Sequence, residues 1–295
     1  MAARHNGCKR MTEFALALVL VSAVAHAAWN LIAKRASAGP VFNWLFDSLS
    51  VAVCVPLLLV QIWVQPTALG PLALIFIFGS ALLHLAYFLL LGQSYKRGGD
   101  LSLVYPLARG TGPMLSTVAA IVLLGERPTP LALVGAALIG VGVVVLAGNW
   151  RRLRAAHVVF AVLTGVVIAG YTLWDKEAVS ESGAAIPPVL YFCLFTLVRA
   201  AMLTPYALGR LNAVSIEWRV HRWHALGIAL LSPLSYILVL YALSVSPVSY
   251  VAPVREIGIL VGAIMGARFL AEGEARRRVA AAVAMVAGVV ALALG

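Results

Sequence analysis

The sequence predicts an all-α integral membrane protein, with ten transmembrane helices arranged as two inverted five-helix repeats around a central cavity. Three observations carry this. Of its 295 residues, 62% are hydrophobic and 11% charged, with a mean hydropathy of +0.98; soluble domains run roughly 45–50% apolar and about 25% charged. The apolar residues gather in stretches of about 20, the length that crosses a hydrocarbon core of roughly 30 Å. The third observation is internal duplication. Disorder, collagen and a disulfide scaffold are excluded by the high apolar content, aperiodic glycine and only three cysteines. The net charge of +11 comes from short basic knots between apolar stretches, a pattern of membrane-flanking loops rather than of a nucleic-acid-binding face.

The spans in order are 13–33, 41–63, 71–93, 101–123, 129–148, 156–176, 187–208, 225–245, 248–270 and 278–294. Stretches such as Leu131–Ala147 are apolar on every side, which fits helices and not the alternating strands of a β-barrel. The first span follows Arg4, Lys9 and Arg10 and passes Ala25-His26-Ala27, imitating a secretory signal; its mid-chain counterpart, below, keeps it as a helix. His26, four residues before Asn30, reads as interhelical glue. The second span carries Asp47, either a proton carrier or a loop cap near the interface. The third places Ser80, His84, Tyr87 and Leu91 on one face. His84 suits proton coupling or recognition of an aromatic ligand, or is a hydrogen-bonded interhelical histidine.

The fourth span has a polar stripe, Ser102, Tyr105, Arg109, Gly112 and Ser116. The ninth continues a similar face with Ser249, Glu256 and Leu260. Ionisable groups inside a bilayer are costly and face a cavity or a partner. Arg109 and Glu256 therefore line or lock the central path, pairing with each other or binding a zwitterion; the structural alternative is an ion pair of Glu256 with Arg255 or Arg199. Pro106, Pro233 and Pro253 interrupt their helices. Ala136 and Gly140 in the fifth span, with Ala280, Ala284 and Gly288 in the tenth, predict a tight seam between the last helices of the two halves. Cys54 and Cys193 read as inert packing. The polar stretch 209–224 is expected as the longest connection. Tyr236 and Tyr241 in the eighth span, with Tyr87 and Tyr105, are cavity-wall candidates.

The duplication begins with Ala27–Ala36, which lies over Ala169–Ala178 at an offset of 142. It pairs Trp29 with Tyr171 and Lys34 with Lys176. Ser102-Leu103-Val104-Tyr105-Pro106 lies over Ser249-Tyr250-Val251-Ala252-Pro253 at 147, and Glu126 matches Glu272 at 146. Five helices per copy is an odd number, so the second copy sits upside down relative to the first. That plan is common among secondary transporters, with the ligand near the midplane. Trp29, Tyr171 and Trp174 then form aromatic walls or gates at opposite mouths, or an interfacial belt; the two lysines mark those mouths or snorkel to headgroups.

Trp29-Asn30 with Lys34, the Ser-x-Val-x-Pro segments of the fourth and ninth spans, and Glu126 after the fourth together resemble the EamA-type drug/metabolite transporter superfamily. The resemblance covers essentially the whole chain, with EamA-like repeats over 1–150 and 151–295. It implies a five-plus-five inverted fold, a central cavity and movement of small metabolites, often amino acids, frequently outward. The ninth span departs from the fourth: Arg109 faces Glu256 at one offset and Arg255 at the other.

Fourteen of the 22 Lys and Arg fall in the loops after odd-numbered spans, against five (Arg4, Lys9, Arg10, Arg127 and Lys176) on the opposite side. This favours external termini, while the basic N-terminus favours internal ones. No Walker A loop, HExxH, CxxC or Gly-x-Ser-x-Gly elbow occurs, so neither an enzyme nor an ATP-driven pump is expected, and no cofactor or metal. The expected function is a secondary transporter, in the exporting direction, for amino acids or aromatic and amphipathic metabolites. The alternative is a non-transporting interaction or sensor protein on the same fold. Its partners are then a small-molecule solute and the lipid bilayer, with no nucleic acid, and the functional unit is a monomer, a dimer being the alternative. Compact loops and abundant alanine point to a bacterial cytoplasmic (inner) membrane.

Overall fold

The computed structural model describes residues 10–33, 36, 39–96, 101–147, 155–261 and 275–295. Among them are ten helices and no strand: α1 (Glu13–Ala33), α2 (Pro40–Val64), α3 (Pro71–Lys96), α4 (Leu101–Leu123), α5 (Pro130–Ala147), α6 (Ala155–Val179), α7 (Pro188–Leu208), α8 (Leu211–Val245), α9 (Val248–Arg255) and α10 (Ala275–Leu294). In hydrocarbon every backbone N–H and C=O must be satisfied within the segment, and a helix does this unaided. Pro40 and Pro188 open α2 and α7, where a missing N–H costs nothing and the ring pre-sets φ. Six helices, α1, α2, α3, α6, α7 and α8, are long and apolar enough to cross a membrane, and the apolar parts of α5 and α10 are shorter. Their outer faces carry exposed Leu59, Val166 and Val283, as suits side chains facing lipid tails.

α1 packs on α8, α2 on α7 and α8, α3 on α6 and α7, α4 on α6, and α5 on α10. α9 lies among α1, α4 and α5, with every residue buried. Its N-terminus is held from the first half of the chain: the two Glu126 carboxylate oxygens accept the backbone N–H of Val248 (2.7 Å) and of Ser249 (2.8 Å). Those are orphan donors of a first helical turn. Gly125, with φ of 67°, makes the turn that releases Glu126 from α4.

Four expectations are corrected. Residues 211–224 are not a loop but the first part of α8, which runs 35 residues, about 52 Å at 1.5 Å per residue. With no Gly or Pro until Gly227, nothing stops a helix whose bonds are internal, and polarity alone does not end one. The interruption expected at prolines is also different, since α4 runs on through Pro106 and α8 through Pro233. α9 does break, at Glu256, three residues beyond Pro253; residues 257–261 resume the helix.

The seam between α5 and α10 exists and includes Gly288 as expected, but on α5 different residues make it. A Cβ on Gly135 would lie 2.6 Å from the Gly288 carbonyl oxygen, and one on Gly142 would collide with Met285 Cγ. Gly135, Ile139 and Gly142 therefore face α10, while Ala136 and Gly140 face a cleft toward α4. Lys176 does not snorkel to headgroups. Its ammonium donates to the carbonyls of Leu243 (2.6 Å) and Ser246 (3.1 Å), at the C-terminal end of α8. Lys34 and Glu272 lie outside the described residues.

Candidate functional site

Helical spacing brings one cluster of side chains to the interior. Ser80, His84 and Tyr87 share a face of α3, Tyr171 and Asp175 a face of α6, and Tyr191, Phe195 and Arg199 a face of α7. The three faces meet around Asp175, which is fully buried. Its carboxylate accepts hydroxyls from Ser80 (2.7 Å), Tyr191 (2.7 Å) and Tyr236 (2.5 Å). Three donors on one buried carboxylate compensate for lost water. Among the described residues no Lys or Arg pairs with it.

His84 sits directly above this carboxylate. Its ring stacks between Tyr171 (4.3 Å between centroids) and Phe195 (4.9 Å), with Tyr236 edge-on at 5.1 Å. Nδ1 lies 2.9 Å from the Ser80 carbonyl oxygen, an acceptor only, so Nδ1 carries a hydrogen. Nε2 then faces Asp175 Oδ2 at 3.9 Å, with no hydrogen-bond partner among the described residues.

Beside this network lies a cavity of about 40 Å³, room for roughly three waters. Trp29 and His26 of α1, His84 and Tyr87 of α3, Tyr171 of α6, Phe195 of α7 and Tyr236 of α8 form its aromatic wall. Arg109, Arg199 and Arg255 also line it, and among its lining residues there is no Asp or Glu. Two of these guanidiniums are spoken for from behind. Arg199 donates to both oxygens of buried Asp47, Nε at 2.8 Å and Nη2 at 2.6 Å, a bidentate pair joining α7 to α2. Arg109 Nη2 stands 3.1 Å from Glu256 Oε1, joining α4 to the break after α9. Arg255 has no carboxylate within ion-pair distance among the described residues. It lies over the rings of Tyr236 (5.0 Å) and Tyr171 (5.9 Å) instead.

Of the residues singled out from the sequence, Trp29, His84, Tyr87, Arg109, Tyr171 and Tyr236 come together at this cavity. The others point elsewhere. Asn30 turns back on its own helix, its amide donating to the His26 carbonyl at 2.7 Å. Trp174 faces α3, donating to the Phe76 carbonyl (2.9 Å) and packing on the Phe76 ring and Gly79. Asp47 caps no loop, being locked to Arg199, and Glu256 pairs with Arg109 rather than with Arg255 or Arg199. Tyr241 is exposed on the outer face of α8. The Tyr105 side chain lies outside the described residues.

Sequence reasoning passed over Asp175 and the hydroxyl of Tyr191, noted Arg199 and Arg255 only as possible partners of Glu256, and gave Ser80 a place on the His84 face but no role. A signal for Asp175 existed. It lies four residues after Tyr171, on the same face, and at the sequence offset of 142 it lies over apolar Ala33. A charge inside a span, with no charged match at that offset, is a functional pointer.

Residues 13–148 match the EamA-like transporter family, the family whose motifs the sequence resembles. A solved structure described only as "Crystal structure of protein" superposes with a TM-score of 0.70 at 16% identity, covering 94% of this chain and 98% of its own; at that identity the likeness concerns the fold. No curated protein matches the sequence.

Proposed function

We propose that this chain, of which residues 13–148 match the EamA-like transporter family, is a secondary transporter that exports small carboxylate-bearing metabolites. Amino acids with aromatic or amphipathic side chains are the favoured class. The observation that carries this is Arg255, a cation without a carboxylate partner among the described residues, facing a cavity walled by Tyr171, Tyr236 and His84. A carboxylate on Arg255 completes the one unmatched charge there, and the rings accept a flat apolar body. At about 40 Å³ the cavity is contracted around its own side chains, and a solute of amino-acid size enters as the surrounding helices part. The outward direction follows the family resemblance, and the bacterial inner membrane follows the compact loops and abundant alanine.

Alternating access around a pseudo-two-fold axis is supported by the packing. Replacing each helix by the one five places away turns α1–α8 into α6–α3, α2–α8 into α7–α3 and α4–α6 into α9–α1. It returns α2–α7, α4–α9 and α5–α10 to themselves. Every one of these pairs is in contact. Halves 1–150 and 151–295 then rock about the self-paired helices, with the Arg109–Glu256 contact at the α4–α9 crossing. A proton is the proposed coupling ion. Asp175 and His84 hold it, since Asp47 and Glu256 are each committed to an arginine.

The test is counterflow in proteoliposomes loaded with unlabelled phenylalanine, following entry of labelled phenylalanine. Saturable counterflow that Arg255→Gln weakens about tenfold or more, with folding retained, is the expected result. Counterflow of neutral and carboxylate solutes that Arg255→Gln affects equally overturns the carboxylate reading. No counterflow with any metabolite class supports the non-transporting alternative.

A further inference from the structure

A second cavity, of about 160 Å³, lies away from the aromatic one, between α4 and α5 with its inner end at the α9 break. Gly110, Pro113, Met114, Thr117, Val118 and Ile121 recur at helical spacing along its α4 wall. Met114, Val118 and Leu133 on its rim are 48%, 58% and 43% exposed, so the mouth opens sideways toward the lipid. Two polar groups break the apolar lining. Thr117 (5% exposed) and Glu256 (2% exposed) both line it, and Thr117 Oγ1 and Glu256 Oε2 have no hydrogen-bond partner among the described residues.

Buried polar atoms without partners are costly, a carboxylate oxygen most of all. A lipid acyl chain fills such a cleft but satisfies neither atom. A hydroxyl satisfies both, donating to the carboxylate oxygen and accepting from the threonine. A second cation is the poorer match, because Glu256 Oε1 already faces Arg109 at 3.1 Å and Arg255 adjoins it in sequence. We infer that the α4–α5 cleft is a lateral binding site for an uncharged amphiphile bearing a hydroxyl group, reached from the bilayer and held by Thr117 and Glu256. At about 160 Å³ the cleft has room for about ten waters, enough for a hydroxyl and a chain of several carbons. Its occupant touches the face of the Arg109–Glu256 pair opposite the aromatic cavity, so occupancy shares the carboxylate charge that holds Arg109.

The experiment uses the full chain in lipid nanodiscs, an octanol carrying a chain diazirine, and mapping of the photoadducts by mass spectrometry. Adducts concentrated on the 113–121 and 133–143 segments, displaced by octanol but about tenfold less well by octyl methyl ether, which cannot donate, are expected. Thr117→Val, close in shape, weakens labelling, and Ala137→Phe at the mouth abolishes it. Val283→Phe, on the lipid face of α10, leaves it unchanged. Displacement by dioctanoylglycerol as well as octanol identifies a lipid as the occupant; displacement by octanol alone identifies a smaller solute. Equal displacement by the methyl ether, preferential displacement by octylamine, or adducts spread evenly over outer faces overturns the inference. None of these readings depends on transport, so the site stands or falls apart from the transporter assignment.

Discussion

His84 Nε2 stands 3.9 Å from Asp175 Oδ2, while the other nitrogen of the ring is committed to the Ser80 carbonyl. The two residues come from α3 and α6 and meet in a shell of aromatic rings and hydroxyls, with no lysine or arginine paired to the carboxylate among the described residues. A lone pair facing an ionised carboxylate at that range is unfavourable, and one added proton relieves it. An ion-paired carboxylate lacks this property, because protonating it strands its arginine.

Asp175→Asn is therefore expected to flatten the pH dependence of flux in proteoliposomes, and His84→Gln to do the same. If both variants keep the parent pH profile while transporting, the proton sits elsewhere. Tyr236→Phe removes one of three donors from the carboxylate; its expected cost is about 1.5–3 kcal/mol in thermal unfolding, with the pH profile displaced rather than lost.

Asp47 and Arg199 behave as a structural clasp between α2 and α7. Replacing either alone, by Asp47→Asn or Arg199→Met, strands a buried charge and costs about 3–5 kcal/mol. The double substitution Asp47→Leu with Arg199→Met regains most of that. Thermal unfolding in detergent reads the cycle. Additive losses in the double variant would show that the two charges do not depend on each other.

Glu126 secures α9 through two backbone N–H groups. Glu126→Ala costs about 2 kcal/mol, and Glu126→Gln, which keeps one acceptor oxygen, costs about half as much. Because α9 carries Arg255 into the cavity, flux falls in step with stability. An unfolding midpoint unchanged by Glu126→Ala would remove the cap from the account.

The two glycine rows of α5 should separate sharply. Gly135→Ala brings a Cβ to 2.6 Å from the Gly288 carbonyl oxygen, a backbone atom that moves only if the helices part, at about 1–3 kcal/mol. At Gly140 the nearest atom is Met114 Sδ at 2.8 Å, the end of a flexible side chain at a lipid-facing rim, so Gly140→Ala costs well under about 1 kcal/mol. Equal losses in unfolding measurements would mean the seam is misassigned.

Much of the site was legible in the residues alone, for a physical reason. An ionisable or aromatic group inside an apolar stretch has few places to go, so His84, Arg109 and Tyr171 are conspicuous wherever they end up. Asp175 escaped because it lies beside Lys176, near the expected end of its span, where a charge reads as an interfacial one. Arg199 drew notice only as a possible neighbour of Glu256. Its bidentate partner Asp47 is 152 residues away along the chain, and no local pattern reports that separation.

The amino-acid sequence determined by itself that the chain is helical and built of membrane-spanning segments, since hydropathy and span length are properties of residues in order. Which side chains face one another was decided only by tertiary packing. Periodicity names the face a residue occupies, but the rotation of each helix against its neighbours selects its partner. That rotation gave Arg109 to Glu256 and Arg199 to Asp47, set three hydroxyls on Asp175, and left Arg255 facing a ring of aromatics.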